Sequence, residues 1–328
     1  MYICFYQNEI MKALVLEQVG SKPIYKDVKD PESDSDLAVV ELKYAALNHR
    51  DVWITKGMYP NINVPVILGS DGAGIYDGKE VIINPGFDWG ENFRVQSNEF
   101  NILGMPKNGT FAEKVEVDQQ YLYQKPAHLT LQEAAAVPLA GVTAYRVLFS
   151  RCQLMTGERV LVTGAGGGVA TMCIQFALAA GCEVHVTSGD EMKIAEVIGL
   201  GVEKGYNYKD GNWYKEIKGG FDVIIDSAGG DSFQNLVKLC NPGARIGFYG
   251  ASLGKYNGIN PQLLFWRQVS IHGSTMGSPS DFSEMINFIN EHEIKPLNDS
   301  TYSLEDCNEA LKRMDKGSQM GKIILEIN

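Results

Sequence analysis

The sequence contains no uninterrupted apolar stretch of about 18 residues, the length that a membrane-spanning helix requires. Its most apolar segment, residues 134–149, is interrupted by Pro138 and Arg146. The first ten residues contain no lysine or arginine and only a short apolar run, which disfavours a secretory signal peptide. We therefore expect neither a membrane-spanning protein nor a secreted one.

Positive charge is scarce relative to negative charge. The chain has 29 lysines and arginines against 40 aspartates and glutamates, which gives a formal net charge of −11. Binding to nucleic acid needs an excess of cations to neutralise phosphates, and an anionic membrane surface attracts basic segments. The charge balance therefore disfavours nucleic acid and membrane surfaces as partners.

Closely spaced cysteines, a common sign of metal binding or redox chemistry, are also absent. None of the six cysteines forms a Cys-x-x-Cys pair, and a chain of this length does not suggest a disulfide scaffold. We interpret them as reduced thiols of a cytoplasmic protein. The six positions are Cys4, Cys152, Cys173, Cys182, Cys240 and Cys307.

The length of 328 residues is enough for two domains of roughly 150 residues each. In the first third of the chain, short apolar runs cut by glycine and proline predict a compact β-rich domain. The polar segment 26–36 is predicted to be a loop. After Thr130 and Glu133, whose spacing matches a helix capping box, predicted strands and helices alternate. This alternation is typical of a doubly wound parallel sheet.

A glycine-rich turn lies between Val160 and Ala170, after a predicted strand and before a predicted helix. Glycines let backbone N–H groups approach a pyrophosphate, and the helix N-terminus adds a positive dipole end. The strand–turn–helix context distinguishes a dinucleotide site from an ordinary tight turn. The predicted cofactor-binding residues of this turn are Gly166, Gly167, Gly168 and Val169.

The end of the second predicted strand favours NADP(H) over NAD(H). A site for NAD(H) has Asp or Glu there to bind the ribose hydroxyls, whereas this chain has Val186-Thr187-Ser188-Gly189. Ser188 can donate to a 2′-phosphate, and Lys193 on the following helix can offset its charge. A solvated helix lysine is the alternative interpretation of Lys193.

Six stretches together resemble the medium-chain dehydrogenase/reductase superfamily, in particular its zinc-free quinone oxidoreductase-like branch. The resemblance covers nearly everything from Met11 to the end of the chain. It implies an α/β fold with two domains: a Rossmann domain, a doubly wound parallel sheet at residues 134–275, and a β-rich GroES-like catalytic domain made of residues 1–133 and 276–328. The six stretches are residues 45–51, 65–74, 109–113 and 135–145, the glycine turn, and residues 321–325.

The resemblance also implies that the zinc ligands of related enzymes are missing here. Asn48 stands at the position of the first zinc-binding cysteine, and Gly69-Ser70-Asp71 replaces a Gly-His-Glu motif. Leu139 stands at the position of the second cysteine and cannot bind a metal. Residues 84–103 contain none of the four cysteines of the structural zinc lobe. We therefore expect no zinc.

The site residues expected from the resemblance fall into two groups. The catalytic group is Asn48, Tyr59 and Asp51, with Asp51 as an organiser of the local backbone rather than a general base. Beyond the glycine turn, the cofactor-binding group adds Thr143, Tyr208, Gly250 and Lys322. A packing contact in the helix is the alternative for Thr143.

These expectations favour a zinc-independent, NADPH-dependent enzyme that transfers hydride to a small-molecule substrate, either a quinone or an α,β-unsaturated carbonyl compound. Such a reduction generates an enolate or phenolate, which a hydrogen-bond donor can stabilise, whereas alcohol oxidation passes through an alkoxide that is harder to stabilise without zinc. Two alternatives stay open: a zinc-free alcohol or aldehyde dehydrogenase, and a cofactor-binding protein with little catalysis. A homodimer is expected through a sheet edge at residues 268–274, with a tetramer as the alternative.

Overall fold

The computed structural model describes residues 10–31, 37–256 and 258–328. The chain divides into two compact units, one made of Met1–Leu139 with Asn298–Asn328 and the other of Ala140–Leu297. The expectations for the first nine residues, including Cys4, and for residues 32–36 of the predicted loop lie outside the described residues.

Strands predominate before residue 130, and helices and strands largely alternate after it. The elements up to residue 145 are β1 (Ile10–Leu16), β2 (Ile24–Lys29), β3 (Leu37–Ala46), α1 (His49–Thr55), β4 (Val66–Ile67), β5 (Asp71–Tyr76), β6 (Lys79–Ile83), β7 (Gly86–Phe87), β8 (Asn101–Ile102), β9 (Lys114–Asp118), β10 (Leu122–Gln124), α2 (Leu131–Ala135) and α3 (Pro138–Tyr145). The later elements are β11 (Arg159–Val162), α4 (Gly168–Ala179), β12 (Glu183–Ser188), α5 (Glu191–Gly199), β13 (Lys204–Asn207), β14 (Phe221–Asp226), α6 (Phe233–Lys238), β15 (Cys240–Phe248), α7 (Pro261–Arg267), β16 (Ser270–Gly273), α8 (Pro279–Glu291), β17 (Asn298–Ser303), α9 (Cys307–Asp315) and β18 (Lys322–Glu326).

The first unit is β-rich, as the sequence predicts. Its largest sheet has the strand order β10-β6-β5-β3-β18-β17, with β9 also paired to β3. A second sheet has the order β2-β1-β4. The C-terminal strand β18 lies between β3 and β17, and Ile323, Ile324 and Leu325 are completely buried in it. The last residues of the chain are therefore part of the core of this unit.

Residues 24–29 form β2, which corrects the prediction of a loop from residue 26 onward. β2 pairs antiparallel with β1, with Tyr25 opposite Leu14 and Lys26 opposite Ala13. It is the edge strand of its sheet, and an edge strand can carry charged side chains towards solvent while its backbone still pairs on one side. The polar composition of this segment therefore does not distinguish an edge strand from a loop.

The second unit contains a six-stranded parallel sheet in the order β13-β12-β11-β14-β15-β16. Numbered within the unit, this is the order 3-2-1-4-5-6 of doubly wound dinucleotide-binding sheets. The predicted α/β fold class is confirmed. The order reverses between β11 and β14, and ligands bind such sheets at the carboxyl ends of the strands near that reversal.

The end of the second unit differs from the predicted domain boundary at residue 276. The helix α8 and the residues up to Leu297 belong to the second unit. Asp281 of α8 accepts a hydrogen bond of 2.5 Å from the buried Arg146, and Phe288 packs against Phe149 with ring centroids 5.2 Å apart. These contacts join α8 to the residues that follow α3, which also belong to the second unit.

The cysteines among the described residues are free and buried. Burial raises the pKa of Cys152 and of Cys240 to about 12 and also raises the pKa of the Cys173, Cys182 and Cys307 thiols. A thiol that stays protonated is a poor nucleophile and a poor metal ligand. In the same residues, no helix combines the length and the apolar character needed to cross a bilayer.

The buried pair of Arg146 and Asp281 leads to a stability prediction. Substitution of Asp281→Ala removes the carboxylate that faces a buried guanidinium, and breaking such a pair costs about 3–5 kcal/mol. We expect a loss of that size in the free energy of unfolding, measured by urea titration with circular dichroism. The control Glu17→Ala breaks an exposed ion pair with Lys26 and is expected to cost less than about 1 kcal/mol. Equal losses in the two variants would contradict this prediction.

Candidate functional site

The glycine-rich turn connects β11 to α4 in the second unit. Gly166 has a φ angle of 116°, and a Cβ atom built on it would lie 2.7 Å from Cδ of Lys193. The turn is held against the neighbouring strand by a hydrogen bond of 2.8 Å from the Ala165 N–H to the Thr187 carbonyl. Glycine is favoured at position 166 because L residues with a side chain rarely adopt a φ angle of 116°.

The end of β12 lies beside this turn and carries the residues predicted to select the cofactor. Ser188 is buried, and its Oγ accepts a hydrogen bond of 3.2 Å from the Asp190 N–H. The Tyr208 N–H donates to the Ser188 carbonyl at 3.1 Å, and a Cβ on Gly189 would lie 2.7 Å from the Tyr208 hydroxyl. The structure thus brings Ser188, Lys193 and Tyr208 to the edge of the glycine turn.

The nearest acidic side chain after β12 has another role. Asp190 is the N-cap of α5, and its Oδ1 accepts a hydrogen bond of 2.9 Å from the Met192 N–H. A carboxylate in that position stabilises the first turn of the helix. The strand end therefore presents a hydroxyl and a lysine where NAD-binding sites present a free carboxylate.

Two predicted cofactor residues lie on other elements of the second unit. Gly250 follows β15, and a Cβ built on it would lie 3.2 Å from the Ser227 carbonyl oxygen. Because Ser227 directly follows β14, Gly250 is at the carboxyl ends of the central strands, as predicted. Thr143 is buried within α3, and its assignment to the cofactor stays a prediction.

The sequence reasoning missed Asp226, the last residue of β14. Its buried carboxylate accepts hydrogen bonds from the Thr163 hydroxyl at 2.7 Å and from the Gly229 N–H at 2.9 Å. Burial raises the pKa of Asp226 above its ordinary value. The carboxylate joins the start of the glycine turn to the loop after β14. An acidic residue that ends a buried strand at this edge of the sheet was the available signal.

In the first unit, Asn48, Asp71 and Lys322 form a buried polar cluster. The Lys322 Nζ donates to Oδ1 of Asn48 at 2.7 Å and to Oδ2 of Asp71 at 2.8 Å. The Asn48 Nδ2 donates to the same Oδ2 of Asp71 at 2.9 Å. The exposed fractions of Asn48, Asp71 and Lys322 are 8%, 0% and 3%. We call these three residues the lysine cluster.

The strand register explains how the lysine cluster forms. Ala46 at the end of β3 is opposite Asp71 of β5 on one side and Ile324 of β18 on the other. The Leu47 N–H continues this pairing by donating to the Ile323 carbonyl at 3.0 Å. Asn48 therefore meets Lys322, the first residue of β18.

The other predicted catalytic residues surround α1. Asp51 is completely buried and caps this helix, since its Oδ2 accepts a hydrogen bond of 2.7 Å from the Asn48 N–H. Tyr59 packs its ring 5.1 Å from the guanidinium carbon of Arg50, and Arg50 donates to the Ser70 hydroxyl at 2.6 Å. Asp51 thus contacts the backbone of Asn48, as the backbone-organising role predicts, whereas Tyr59 is linked to Arg50. The catalytic assignments of these residues stay predictions.

The residues at the expected zinc position do not fit a zinc ion. Ser70 is occupied by Arg50, and the Leu139 N–H donates to Oδ1 of Asp71 at 2.8 Å. The ammonium group of Lys322 lies between the oxygen atoms of Asn48 and Asp71, so a second cation there would be repelled. Across the described ranges, no group of three or more His, Cys, Asp or Glu side chains is arranged to hold a metal.

Lys322, which the resemblance implies is a cofactor ligand, uses most of its hydrogen-bonding capacity within the first unit. Two of the three N–H groups of its ammonium are used within the first unit, on Asn48 and Asp71. Contact with the cofactor stays a prediction for this residue, whereas its part in the lysine cluster is observed.

Residues 84–103, where the resemblance would place a structural zinc lobe, are held by other contacts. The Ser97 N–H donates to the Trp89 carbonyl at 2.7 Å, and the Trp89 indole donates to the Asn92 carbonyl at 3.1 Å. Trp89 also meets Phe100 edge to face, with ring centroids 5.2 Å apart. An aromatic pair and backbone hydrogen bonds therefore close this loop.

Comparison with known proteins places both units in oxidoreductase families. Residues 34–127 match the family described as alcohol dehydrogenase GroES-like domain, and residues 168–291 match the family described as zinc-binding dehydrogenase. The chain is 30% identical to a zinc-type alcohol dehydrogenase-like protein, YogA, of Leptosphaeria maculans over 334 aligned residues, which cover 92% of this chain and 93% of that protein.

Other relatives differ in the activity that their names describe. The chain is 28% identical to the quinone oxidoreductase of Mus musculus, with 97% of this chain and 98% of that protein covered. The crystal structure of an NAD-dependent alcohol dehydrogenase is similar to it with a TM-score of 0.91 and 33% identity, covering 97% of this chain and 100% of that one. These similarities agree on oxidoreductase chemistry and differ on the substrate.

The buried carboxylate of Asp51 gives a prediction for the pH dependence of stability. Burial raises the pKa of Asp51 to about 6, from an ordinary value of 3.8. Between these values the unfolded chain has lost the proton while the folded chain still holds it, so stability falls as the pH rises from about 4 to about 6. By pH 7 the loss amounts to ~3 kcal/mol.

The variant Asp51→Asn removes this titration and tests the prediction. We expect the unmodified protein to lose stability relative to Asp51→Asn between pH 4 and pH 7, measured by urea unfolding at a series of pH values. Asp118→Asn is the control, because hydrogen bonds from Gln120 lower the pKa of Asp118 and the stability from that group is lost as the pH falls. If the free energy of unfolding varied with pH in the same way for Asp51→Asn and the unmodified protein, the pKa of Asp51 would not be raised by folding, and the prediction would be wrong.

Proposed function

The chain belongs to the medium-chain dehydrogenase/reductase superfamily, and from this premise we propose that it is a zinc-independent, NADPH-dependent reductase of quinones or α,β-unsaturated carbonyl compounds. The observation that carries the proposal is the lysine cluster, in which an ammonium group binds Asn48 and Asp71, two residues that the family resemblance aligns with the zinc site. Such a cluster supplies hydrogen-bond donors to a substrate oxygen and offers no position for a Lewis acid.

The second unit supplies the cofactor side of the proposal. The backbone N–H groups of Gly166 and Gly168 and the N-terminus of α4 would hold the pyrophosphate, whereas the Gly167 N–H donates to the Gly164 carbonyl at 3.2 Å and closes the turn. Ser188 and Lys193 would hold the 2′-phosphate, which supports NADP(H) over NAD(H). When bound, the reduced nicotinamide supplies a hydride. Gly166 fits this role because its missing side chain leaves the backbone open beside Lys193.

The electrostatics of the first unit support an activated alkene or quinone as the substrate. Hydride addition to such a compound leaves negative charge on an oxygen that is conjugated to carbon, and hydrogen-bond donors stabilise this charge effectively in a site from which water is excluded. Oxidation of a simple alcohol requires a far more basic alkoxide, for which enzymes commonly use a metal. Alcohol oxidation is the second candidate, because one similar solved structure is named an NAD-dependent alcohol dehydrogenase.

A homodimer is part of the same proposal. β16 is the edge strand of the parallel sheet, and the neighbouring helix α7 exposes Phe265 and Trp266 with 66% and 83% of their surface accessible. An edge strand beside exposed aromatic side chains favours pairing with a second copy.

Cofactor selection can be tested at Lys193. The variant Lys193→Ala removes the cation beside Ser188 and the glycine turn, and we expect the Kd for NADPH to rise by about tenfold or more while that for NADH changes little. Fluorescence titration with each cofactor measures both constants. Lys238→Ala is the control, because this lysine lies on the exposed surface of α6 in the same unit. An equal rise in the two Kd values would contradict the assignment of the 2′-phosphate site.

The reaction itself can be tested with chelator-treated protein. We expect NADPH consumption with quinones or enones, and no NADP⁺ reduction with primary alcohols, followed by absorbance of the reduced nicotinamide. Restoration of alcohol oxidation by added zinc would overturn the metal-free interpretation. Tight NADPH binding without turnover of any compound would support a cofactor-binding protein with little catalysis.

A further inference from the structure

The hydrogen bonds of the lysine cluster form a closed ring. Nζ of Lys322 contacts Oδ1 of Asn48, Nδ2 of the same amide contacts Oδ2 of Asp71, and that oxygen returns to Nζ, with distances of 2.7, 2.9 and 2.8 Å. Such a ring fixes the orientation of the amide, since reversing it would place two donors against each other. It also holds the ammonium group in one position.

Some N–H groups of the ring are not used within it. A lysine ammonium has three N–H groups, and the ring uses two of those of Lys322. An amide nitrogen has two N–H groups, and the ring uses one of those of Asn48. Oδ1 of Asn48 and both oxygens of Asp71 already accept hydrogen bonds, including one from the Leu139 N–H. The remaining capacity is therefore mainly that of a donor, from Lys322 and from Asn48.

We propose that Lys322 is a catalytic residue that donates a hydrogen bond to the substrate oxygen on which negative charge develops, with Asn48 as a second donor and Asp71 as the residue that positions both. The inference rests on the proposed function. In the reaction, the C4–H bond of the reduced nicotinamide would break and its hydride would form a new bond to the β carbon of the substrate, while the carbon–carbon π pair shifts towards the carbonyl carbon and the carbonyl π pair moves to the oxygen. The charged oxygen is stabilised by Nζ of Lys322, and the α carbon of the enolate then takes a proton from water.

The charges around Lys322 suit this role. Asp71 balances the ammonium within the cluster, so the buried cation is tolerated before substrate binds. Arg50 and Asp51 form a second set of opposite charges on α1, and Arg50 is directed to Ser70 and to the Leu103 carbonyl. The pKa of His49 is lowered by shielding from water and by the charge of Lys322, which favours the neutral form of this imidazole. Lys322 is therefore the charged donor of the lysine cluster that can bind a substrate oxygen.

The test uses two probes with the same nitrophenyl ring, one with an ionised oxygen and one in which a methyl group neutralises that oxygen. These are 4-nitrophenolate, at a pH where it is fully ionised in solution, and 4-nitroanisole, its neutral methyl ether. Calorimetry with the full chain measures both Kd values without any turnover. We expect the unmodified protein to prefer the phenolate, and Lys322→Met to weaken phenolate binding by about tenfold or more with little change for 4-nitroanisole.

A matched control comes from another buried lysine of the same unit. The ammonium of Lys125 is used by Glu80, by the Pro126 carbonyl and by the Leu129 carbonyl, so it has no donor left for a ligand. Lys125→Met should preserve the phenolate preference even where it lowers stability. If Lys322→Met does not fold, Lys322→Gln takes its place, because it retains a donor without the charge, and a smaller loss of the phenolate preference is expected.

The outcomes separate this inference from the proposed function. An unchanged phenolate preference in the Lys322 variants, or no preference in the unmodified protein, would overturn the role of Lys322 even if enones are reduced. A phenolate preference that depends on Lys322 supports the donor role, whatever the turnover result. If the unmodified protein then reduces neither quinones nor enones, that lack of turnover counts against the proposed function alone. The rate of hydride transfer in Lys322→Met, measured with saturating NADPH, should fall.

Discussion

The buried ion pair between Lys322 and Asp71 is the constraint on which the first unit depends. The two residues are 251 positions apart in the chain, and neither could be buried alone, because an unpaired charge in the interior is strongly destabilising. Their meeting requires β18 to lie beside β3 in one register and β3 to lie beside β5 in another. The pair therefore couples the C-terminal strand, the central strand and the lysine cluster into a single arrangement.

The sequence could predict the features of the fold that depend on contacts between residues near one another in the chain, but not those that depend on the pairing of distant strands. The strand, turn and helix around Gly166 are contiguous in sequence, and the parallel order of the sheet follows from the alternation of elements. From these two facts the positions of Ser188, Lys193 and Tyr208 beside the turn could be anticipated. The sequence contains no comparable signal for the register that joins Asn48 to Lys322, since that register is a property of three strands together.

Short elements were missed for a different reason. The helix α1 has seven residues, too few to show a helical period, and its start is marked only by the capping pair of Asn48 and Asp51. The strand β2 is polar because it forms a sheet edge. Asp226 was overlooked because an acid at the end of a strand has no distinctive neighbours in sequence. In each case the tertiary context, and not the local propensity, decided the structure.

Metal ions and ammonium groups make opposite demands on their neighbours. A metal collects lone pairs from its ligands, whereas an ammonium group provides N–H donors and needs acceptors. In the lysine cluster Oδ1 of Asn48 and Oδ2 of Asp71 accept hydrogen bonds from Lys322, and Oδ1 of Asp71 accepts one from the Leu139 N–H, so a metal could bind only by displacing these donors. A hydrogen-bond donor stabilises a delocalised oxyanion well but would be deprotonated by a simple alkoxide, which is the stronger base. The residues that disfavour a metal are thus the same residues that, under the proposed function, favour a conjugated carbonyl compound over an alcohol.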